Sequence, residues 1–509
     1  MSTGVRTLLL PAAGGKERAE VKHRVVVVGG GIAGVAAATV LSERGVQVTL
    51  VERETHLGGR AGGWSERLQS GERFEMERGF HAFFRQYYNL RALLRRIDPE
   101  LRLLLPLTDY PILGPNGTVQ SFANLPRRTP LNILALTRRA RSLGLGDLLR
   151  VNKRRAMEML AFEMERTYAR WDGASAALFL DSLRFPKAAR RLLFDVFSHS
   201  FFNPEAHMSA AELLMMFHFY FTGNPEGLVF DVARQPFSSG IWRPFASYLR
   251  RQGVELCLGE EAVALRRGVG ADPGTGAGAP LWQVVTGSGA LSADAVVLAV
   301  TVPGLQSLVQ QSPDLDDPAW RAAIAAQSAT LPFAVWRLWL AGPVREGRHS
   351  FVGTTGVGAL DNISLYHLFE DESRDWSGRH GGSVVELHAY AVDPATDESS
   401  LRGDMLRALH HFYPETSGLR IQDDFWLWRQ DCPAFAPGAY AQRPAVATPH
   451  PGLTLAGDFV KLPLPSALME RAAASGFLAA NLLLSRIGVR PEPIESIPAR
   501  GILAGLPLG

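Results

Sequence analysis

The stretch RVVVVGGGIAGVAAATVLSERGVQVTLVERE, from Arg24 to Glu54, leaves a chain few ways to fold. Val25 to Val28 reads as a buried strand. An alanine-rich helix follows the glycines, and Gln47 to Glu52 reads as a second strand, so the segment is a βαβ unit. Gly29, Gly31 and Gly34 form G-x-G-x-x-G at the strand-to-helix turn. Positions without a Cβ let a pyrophosphate reach the backbone amides around Ile32 and Ala33, where the helix dipole also favours an anion. Glu52 closes the second strand about 20 residues on, where a carboxylate accepts both ribose hydroxyls, with Arg53 beside it. A dinucleotide site follows from this arrangement, and NAD and FAD satisfy it equally.

HLGGRAGG, a few residues later, separates the two. Leu57, Gly58, Gly59 and Arg60 resemble the second phosphate motif of the flavin amine oxidase and carotenoid desaturase superfamily. In that superfamily the glycines let the chain cross the pyrophosphate and the arginine lies near the flavin. LTLAGDFVKLPLPSALMERAAASGFLAAN is similar to the superfamily's closing motif. The resemblance implies that Gly457 and Asp458 meet the ribityl or pyrophosphate oxygens. It also implies that the helix after Pro465, entered through Ala467, points its N-terminus at the flavin. GVELCLGEEAVALRR is similar to the strand pair whose backbone, near Val263, meets the adenine. FAD is the implied cofactor, with no metal.

The implied fold is α/β, a Rossmann-type FAD-binding domain of the glutathione reductase-like kind interleaved with an α+β substrate domain. Residues 23–100, 235–312 and 441–489 make the discontinuous FAD-binding domain, 101–234 a helical insert facing substrate and membrane, and 313–440 the substrate-domain sheet. A disordered leader, 1–22, and a loosely ordered tail, 490–509, are expected at the ends.

The 509 residues are 46% hydrophobic and 20% charged, enough for a core that splits into subdomains. Fifty-three basic residues against 50 acidic ones are too even a balance for nucleic acid. Cys257 and Cys432 are the only cysteines and fall in no C-x-x-C or Cys/His spacing, so neither a disulfide framework nor structural zinc is expected. A reducing, cytoplasmic compartment fits. The apolar run Leu8 to Ala13 is broken by Pro11 and makes a poor signal peptide, and no run of roughly eighteen apolar residues suggests a membrane span.

The resemblance narrows at SALMERAAASG, similar to the closing helix of carotenoid desaturases, and at RGFHAFFRQYYNLRALLRRIDPE, from Arg78 to Glu100. The latter, like DCPAFAPGAYAQRPAVATPHPGLTLAGDF, resembles bacterial isorenieratene synthases, which convert β-ionone end rings of a carotene into aromatic rings. That implies hydride loss from the end ring, a 1,2-methyl shift, proton loss and a further oxidation, with a quinone or oxygen as electron acceptor. Glu77 and His81 are the candidate bases, with Asp431 a weaker one. A carotene offers nothing to grip by charge or hydrogen bond, so its site is an apolar tunnel. Phe80, Phe83, Phe84, Phe217 and Phe219 are its candidate walls, with Tyr87, Phe201, Phe202, Met215, Met216 and Phe221; such a stripe also suits plain core.

Between Arg127 and Arg155, nine basic residues stand against Asp147 alone, interleaved with Leu131, Ile133, Leu134 and Leu136. The pattern suits either a solvated helix face or a helix lying on anionic lipid, each basic side chain contributing about 1 kcal/mol there. With a bilayer-dissolved substrate, peripheral contact with the cytoplasmic membrane is expected. The alternatives are an acyclic carotene (phytoene or zeta-carotene) desaturase or isomerase, a flavin amine oxidase, and a flavin- or carotenoid-binding protein without activity.

Overall fold

The computed structural model describes residues 7–9, 14–126, 131, 135, 150–185, 190, 201–268 and 281–505. A parallel sheet of five strands runs, in spatial order, Glu255–Leu258, Gln47–Glu52, Arg24–Val28, Ala295–Leu298 and Leu453–Leu455. Its strands come from the beginning, middle and end of the sequence, which is why nucleotide-type segments are scattered along the chain. Val25 to Val28 are buried, as in a parallel sheet covered on both faces.

Helix Ile32–Glu43 packs on this sheet. Every residue but Glu43 is buried, so the helix has no polar face and requires a second cover. Helix Leu468–Arg486 supplies it, packed against Ile32–Glu43. The approach is close enough that a Cβ on Gly476 would lie 2.2 Å from the Ala33 carbonyl oxygen.

The second sheet is mixed and runs Ile421–Arg429, Phe333–Leu340, Ser383–Ala389, Asn362–Leu365, Phe351–Thr354, Ile112–Leu113 and Val119–Gln120. Phe333–Leu340 is buried at every position, antiparallel to both neighbours. Leu401, Met405 and Leu409 of helix Glu398–Phe412 join Leu338, Val385 and Leu387 in one apolar cluster. Trp339 and Val384 alternate with them and join Phe74, Met76 and Phe230 instead.

Three expectations are corrected. The 101–234 segment is not simply helical: Ile112–Leu113 and Val119–Gln120 extend the second sheet, while Leu104–Pro106 and Phe230–Ala233 form a small sheet with Phe83–Phe84. These strands are too short to carry a period-2 pattern of their own and are stabilised by distant partners. The leader is not wholly disordered, because the backbone of Thr7–Leu9 pairs antiparallel with Ile494–Ser496. Nor is the described part of the tail, 490–505, loose. Ile494 and Ile497 are buried, and Asn89 donates to the Glu495 carbonyl at 2.8 Å. Each terminal segment satisfies backbone groups that the other would leave unpaired. Among the described residues, no helix is long and apolar enough to cross a membrane.

Helix propensity alone favours Ala over Gly inside helix Leu468–Arg486 by about 1 kcal/mol. A backbone carbonyl at 2.2 Å cannot yield as a flexible side chain would, and overpacking costs about 1–3 kcal/mol. Gly476→Ala is therefore expected to lower the denaturation midpoint and the FAD content of the purified protein. A raised midpoint would show that the two helices separate freely.

Candidate active site

The site begins at the carboxyl ends of the parallel strands, the usual ligand position in such sheets. Gly29 leaves Arg24–Val28 at φ +104°, a conformation that favours glycine. The Gly58 N–H donates to the Gly30 carbonyl at 2.8 Å and ties the two glycine turns together. Gly31 and Gly59 then face each other without side chains: a Cβ on Gly59 would be 3.1 Å from the Gly31 Cα. Helix Ile32–Glu43 has no side-chain cap at its N-terminus, so the amides around Ile32 and Ala33 are left for an outside acceptor. Gly34 does not line the cavity; a Cβ there would lie 1.8 Å from the Gly29 carbonyl oxygen, so its role is close packing. Glu52 accepts the Gly30 and Glu54 N–H groups at 2.5 and 2.9 Å and lines the cavity with Arg53.

From the opposite end of the chain, Asp458 pairs with Arg60 at 2.5 Å, and both line the same cavity with Gly457. The Asp458 carbonyl accepts from Arg471, which together with Arg443 clasps Glu212 at 2.6 and 3.0 Å. Burial opposes ionisation of Glu212, but the two guanidiniums prevail and hold it down to about 2. This pairing fastens the closing helix to the insert. Leu468, Met469 and Ala472 bring the start of that helix to the cavity, whereas Ala467 is buried one step before it and does not line the wall. Beside Val263, whose side chain is 42% exposed and which does not itself line the cavity, Glu260, Glu261 and Ala262 do. The pairing register shifts between Ala262 and Ala264, and a one-residue slip in a strand reverses which face a side chain takes. A cradle without side chains, uncapped helix amides and a carboxylate at the ribose position fit FAD.

The cavity continues into an aromatic wall. Phe80 stacks on Phe351 at 4.3 Å and Tyr110 on Phe122 at 5.1 Å, with Phe84 and Phe230 between them. Tyr87, Phe201, Phe202 and Phe221 also line it. Phe83, Phe217 and Phe219 do not. Phe83 is the strand neighbour of Phe84, so it points the other way and packs on Phe237. Helix Ala210–Phe217 passes into a single π turn, His218–Thr222, which resets the helical phase. Tyr220 and Phe221 consequently reach the cavity, while Phe219 and the methionines Met215 and Met216 stay in the core. Tyr110, Phe122, Phe230 and Phe351 escaped notice as isolated aromatics on or beside short strands.

Two candidate bases occupy different positions. His81 lines the cavity, and its Nδ1–H donates to the Gly79 carbonyl at 2.7 Å. Burial pushes it down to about 4, so it is neutral at physiological pH. Glu77 is not on the wall. It accepts the Phe237 N–H at 2.8 Å and lies 3.9 Å from the Arg337 guanidinium, which pairs with Glu386 at 2.7 Å. One buried cation is balanced by one carboxylate, so the second carboxyl keeps its proton; burial pushes Glu77 up to about 8. Asp431 lines the wall, paired with Arg78 at 2.7 Å.

Also missed were His388 and Tyr390, both on the wall. A signal was present in SVVELHAYAV, where Glu386, His388 and Tyr390 alternate with apolar residues and so share one face of a strand.

Residues 32–484 match the family model described as flavin containing amine oxidoreductase. The chain belongs to that family. It is an FAD-dependent oxidoreductase. The carotenoid phi-ring synthase of Streptomyces griseus is 49% identical over 94% of this chain and 90% of its own length. The probable zeta-carotene desaturase of Synechococcus elongatus is 25% identical over 91% of this chain and 98% of its own. The solved putative protoporphyrinogen oxidase from Exiguobacterium sp. 255-15 shares the fold, with TM-score 0.61 and 18% identity over 91% of this chain and 99% of its own.

Because Glu77 titrates near 8 when folded and near 4.5 otherwise, the stability its proton contributes is complete below about pH 4.5 and is lost as pH rises through about 8. Glu77→Gln mimics the protonated acid, so holoprotein melting should match wild type near pH 4.5 and exceed it by a growing margin as pH rises to about 8.5. An equal offset at both pH values would mean that the buried carboxyl is ionised.

Proposed function

We propose that this flavoenzyme oxidises β-ionone end rings of a carotene to aromatic rings, with migration of a geminal methyl group to the neighbouring carbon. The observation that carries this reading is the single cavity running from the glycine cradle into a wall of aromatic rings. A hydrocarbon gives a protein only shape and apolar surface to recognise, and that wall provides both. FAD held at the cradle supplies a two-electron acceptor. The chain's own contribution is placement and dryness. Phe80, Phe351 and Phe230 fix where a ring lies, and an aromatic enclosure keeps water from trapping a substrate cation during the methyl shift. The curated relatives at 49% and 25% identity both carry carotenoid names, which favours a carotene over an amine. In this reading a quinone or oxygen is the final electron acceptor.

The substrate dissolves in bilayers, so the enzyme is placed peripherally on the cytoplasmic membrane. Arg127, Arg128, Arg138, Arg139 and Arg141 lie outside the described residues. Among the described residues of that segment and of the helices that follow it in sequence, Leu131, Met157 and Leu178 are exposed apolar side chains, at 55%, 40% and 64%. Exposed apolar groups beside a basic run suit an interface with anionic lipid.

Two measurements test these readings. FAD-loaded protein given β-carotene without oxygen should bleach its flavin and yield aromatic-ring products, while acyclic carotenes yield none. Oxidation of acyclic carotenes alone would support the plain desaturase instead. Replacing Arg138, Arg139 and Arg141 together by Glu should abolish flotation with anionic liposomes, and unchanged flotation would remove this segment from the membrane contact.

A further inference from the structure

Oxidation of a substrate C–H to a new double bond removes a proton as well as a hydride, and the wall of the cavity holds a chain of groups built to take one. Strand Ser383–Ala389 turns Val385, Leu387 and Ala389 into the apolar cluster behind the second sheet. Glu386 and His388 alternate with them, and Tyr390 continues the same side. Glu386 Oε1 lies 2.7 Å from His388 Nε2, and His388 Nδ1 lies 2.6 Å from the Tyr390 hydroxyl. Asn362 Nδ2 donates to the same hydroxyl at 2.9 Å. His388, Tyr390 and Asn362 all line the cavity.

We propose that Tyr390, His388 and Glu386 form a proton relay in which the Tyr390 hydroxyl takes the proton that the substrate ring loses. The inference rests on the reading of this cavity as a site of carotene oxidation.

The distances assign the protons. Glu386 pairs with Arg337 across the strand register; burial opposes its ionisation, but Arg337 and His388 hold it down to about 2. A carboxylate 2.7 Å from a ring nitrogen requires a proton between them, so Nε2 carries hydrogen and Nδ1 accepts from the tyrosine. The Phe80 N–H also points at Nε2, at 3.3 Å, but a protonated Nε2 has no lone pair to accept it, so the shorter contact with the carboxylate decides. The Tyr390 oxygen gives its hydrogen to His388, spends one lone pair on Asn362, and keeps one.

The step balances as follows. A hydride leaves one ring carbon with its electron pair, bound for the two-electron acceptor. After the methyl shift, a C–H bond beside the cationic carbon breaks and its pair becomes the new C=C. That proton passes to Tyr390 Oη as the tyrosine's own proton passes to His388 Nδ1. The imidazolium formed is held against Glu386, as in the hydroxyl–imidazole–carboxylate arrangement of serine hydrolases. Burial raises the phenol above its ordinary value, so Tyr390 cannot begin as phenolate and must hand its proton on.

Other groups on the wall lack one part of this set. Among the described residues no carboxylate is hydrogen-bonded to the His81 ring, and Asp431 is tied to Arg78. Gly79 belongs to the device: a Cβ there would meet His388 Cε1 at 2.6 Å. Glycine therefore lets the main chain lie against the imidazole.

The test uses FAD-loaded Tyr390→Phe and His388→Gln with β-carotene, measuring kcat, KM, flavin absorbance and the solvent deuterium isotope effect. Both variants should keep FAD and KM while kcat falls about 10²- to 10⁴-fold. The isotope effect of the wild type should vanish in Tyr390→Phe, which packing damage alone would not cause. Either FAD-loaded variant with kcat within twofold of wild type and an intact isotope effect overturns the relay. If Tyr390→Phe fails to fold, His388→Gln decides by the same readings. Wild-type protein that leaves carotenes unoxidised overturns the carotene reading and the relay together, a result distinguishable from failure of the relay alone.

Discussion

The carbonyl oxygen of Gly29 occupies the place where a methyl group on residue 34 would sit, and the carbonyl of Ala33 lies where one on residue 476 would sit. These two close approaches hold helix Ile32–Glu43 against the end of the central strand and the closing helix against Ile32–Glu43. Much else depends on them. The first sets the uncapped helix amides over the glycine cradle. The second brings Leu468 and Met469, from the far end of the chain, to the cavity that Gly31 and Glu52 line. A helix buried on nearly all sides cannot drift, because every displacement opens space in a core packed as densely as an organic crystal.

The second organising feature is a charge-balanced island beside an apolar cavity. Arg337 is flanked by Glu386 and Glu77, and its guanidinium lies 3.9 Å over the ring of Tyr366. An isolated buried cation is costly, so the arrangement persists as one ionised pair with a second carboxyl kept neutral. That balance leaves Glu386 charged, which in turn orients His388. The protonation of His388 and Tyr390 on the wall thus derives from a residue that does not line the cavity.

Much of the nucleotide half was legible because its parts are contiguous. Strand, glycine turn, helix and Glu52 follow one another, and HLGGRAGG lies just beyond, so local spacing translates directly into geometry. Even there, Val263 and Ala467 were each placed a step away from the wall, since a bulge or a helix start shifts which residue faces inward. The aromatic half was legible in kind but not residue by residue. Phe84 and Phe80 were recognised together with Phe83, Phe217 and Phe219, because all share the same apolar character.

The sequence by itself determined the βαβ unit and its dinucleotide site, since these depend on residue type and short-range spacing, while the choice of FAD and of an apolar substrate site came from the resemblance to the flavin amine oxidase and carotenoid desaturase superfamily. Tertiary structure alone decided which aromatics face the cavity and which form core, and it alone joined Glu386, His388 and Tyr390 to Phe80 across more than 300 positions. The reason is physical. When both sides of an element are buried, hydrophobicity no longer marks a face, so one step of strand alternation or one π turn settles the outcome, and packing against distant segments sets that step.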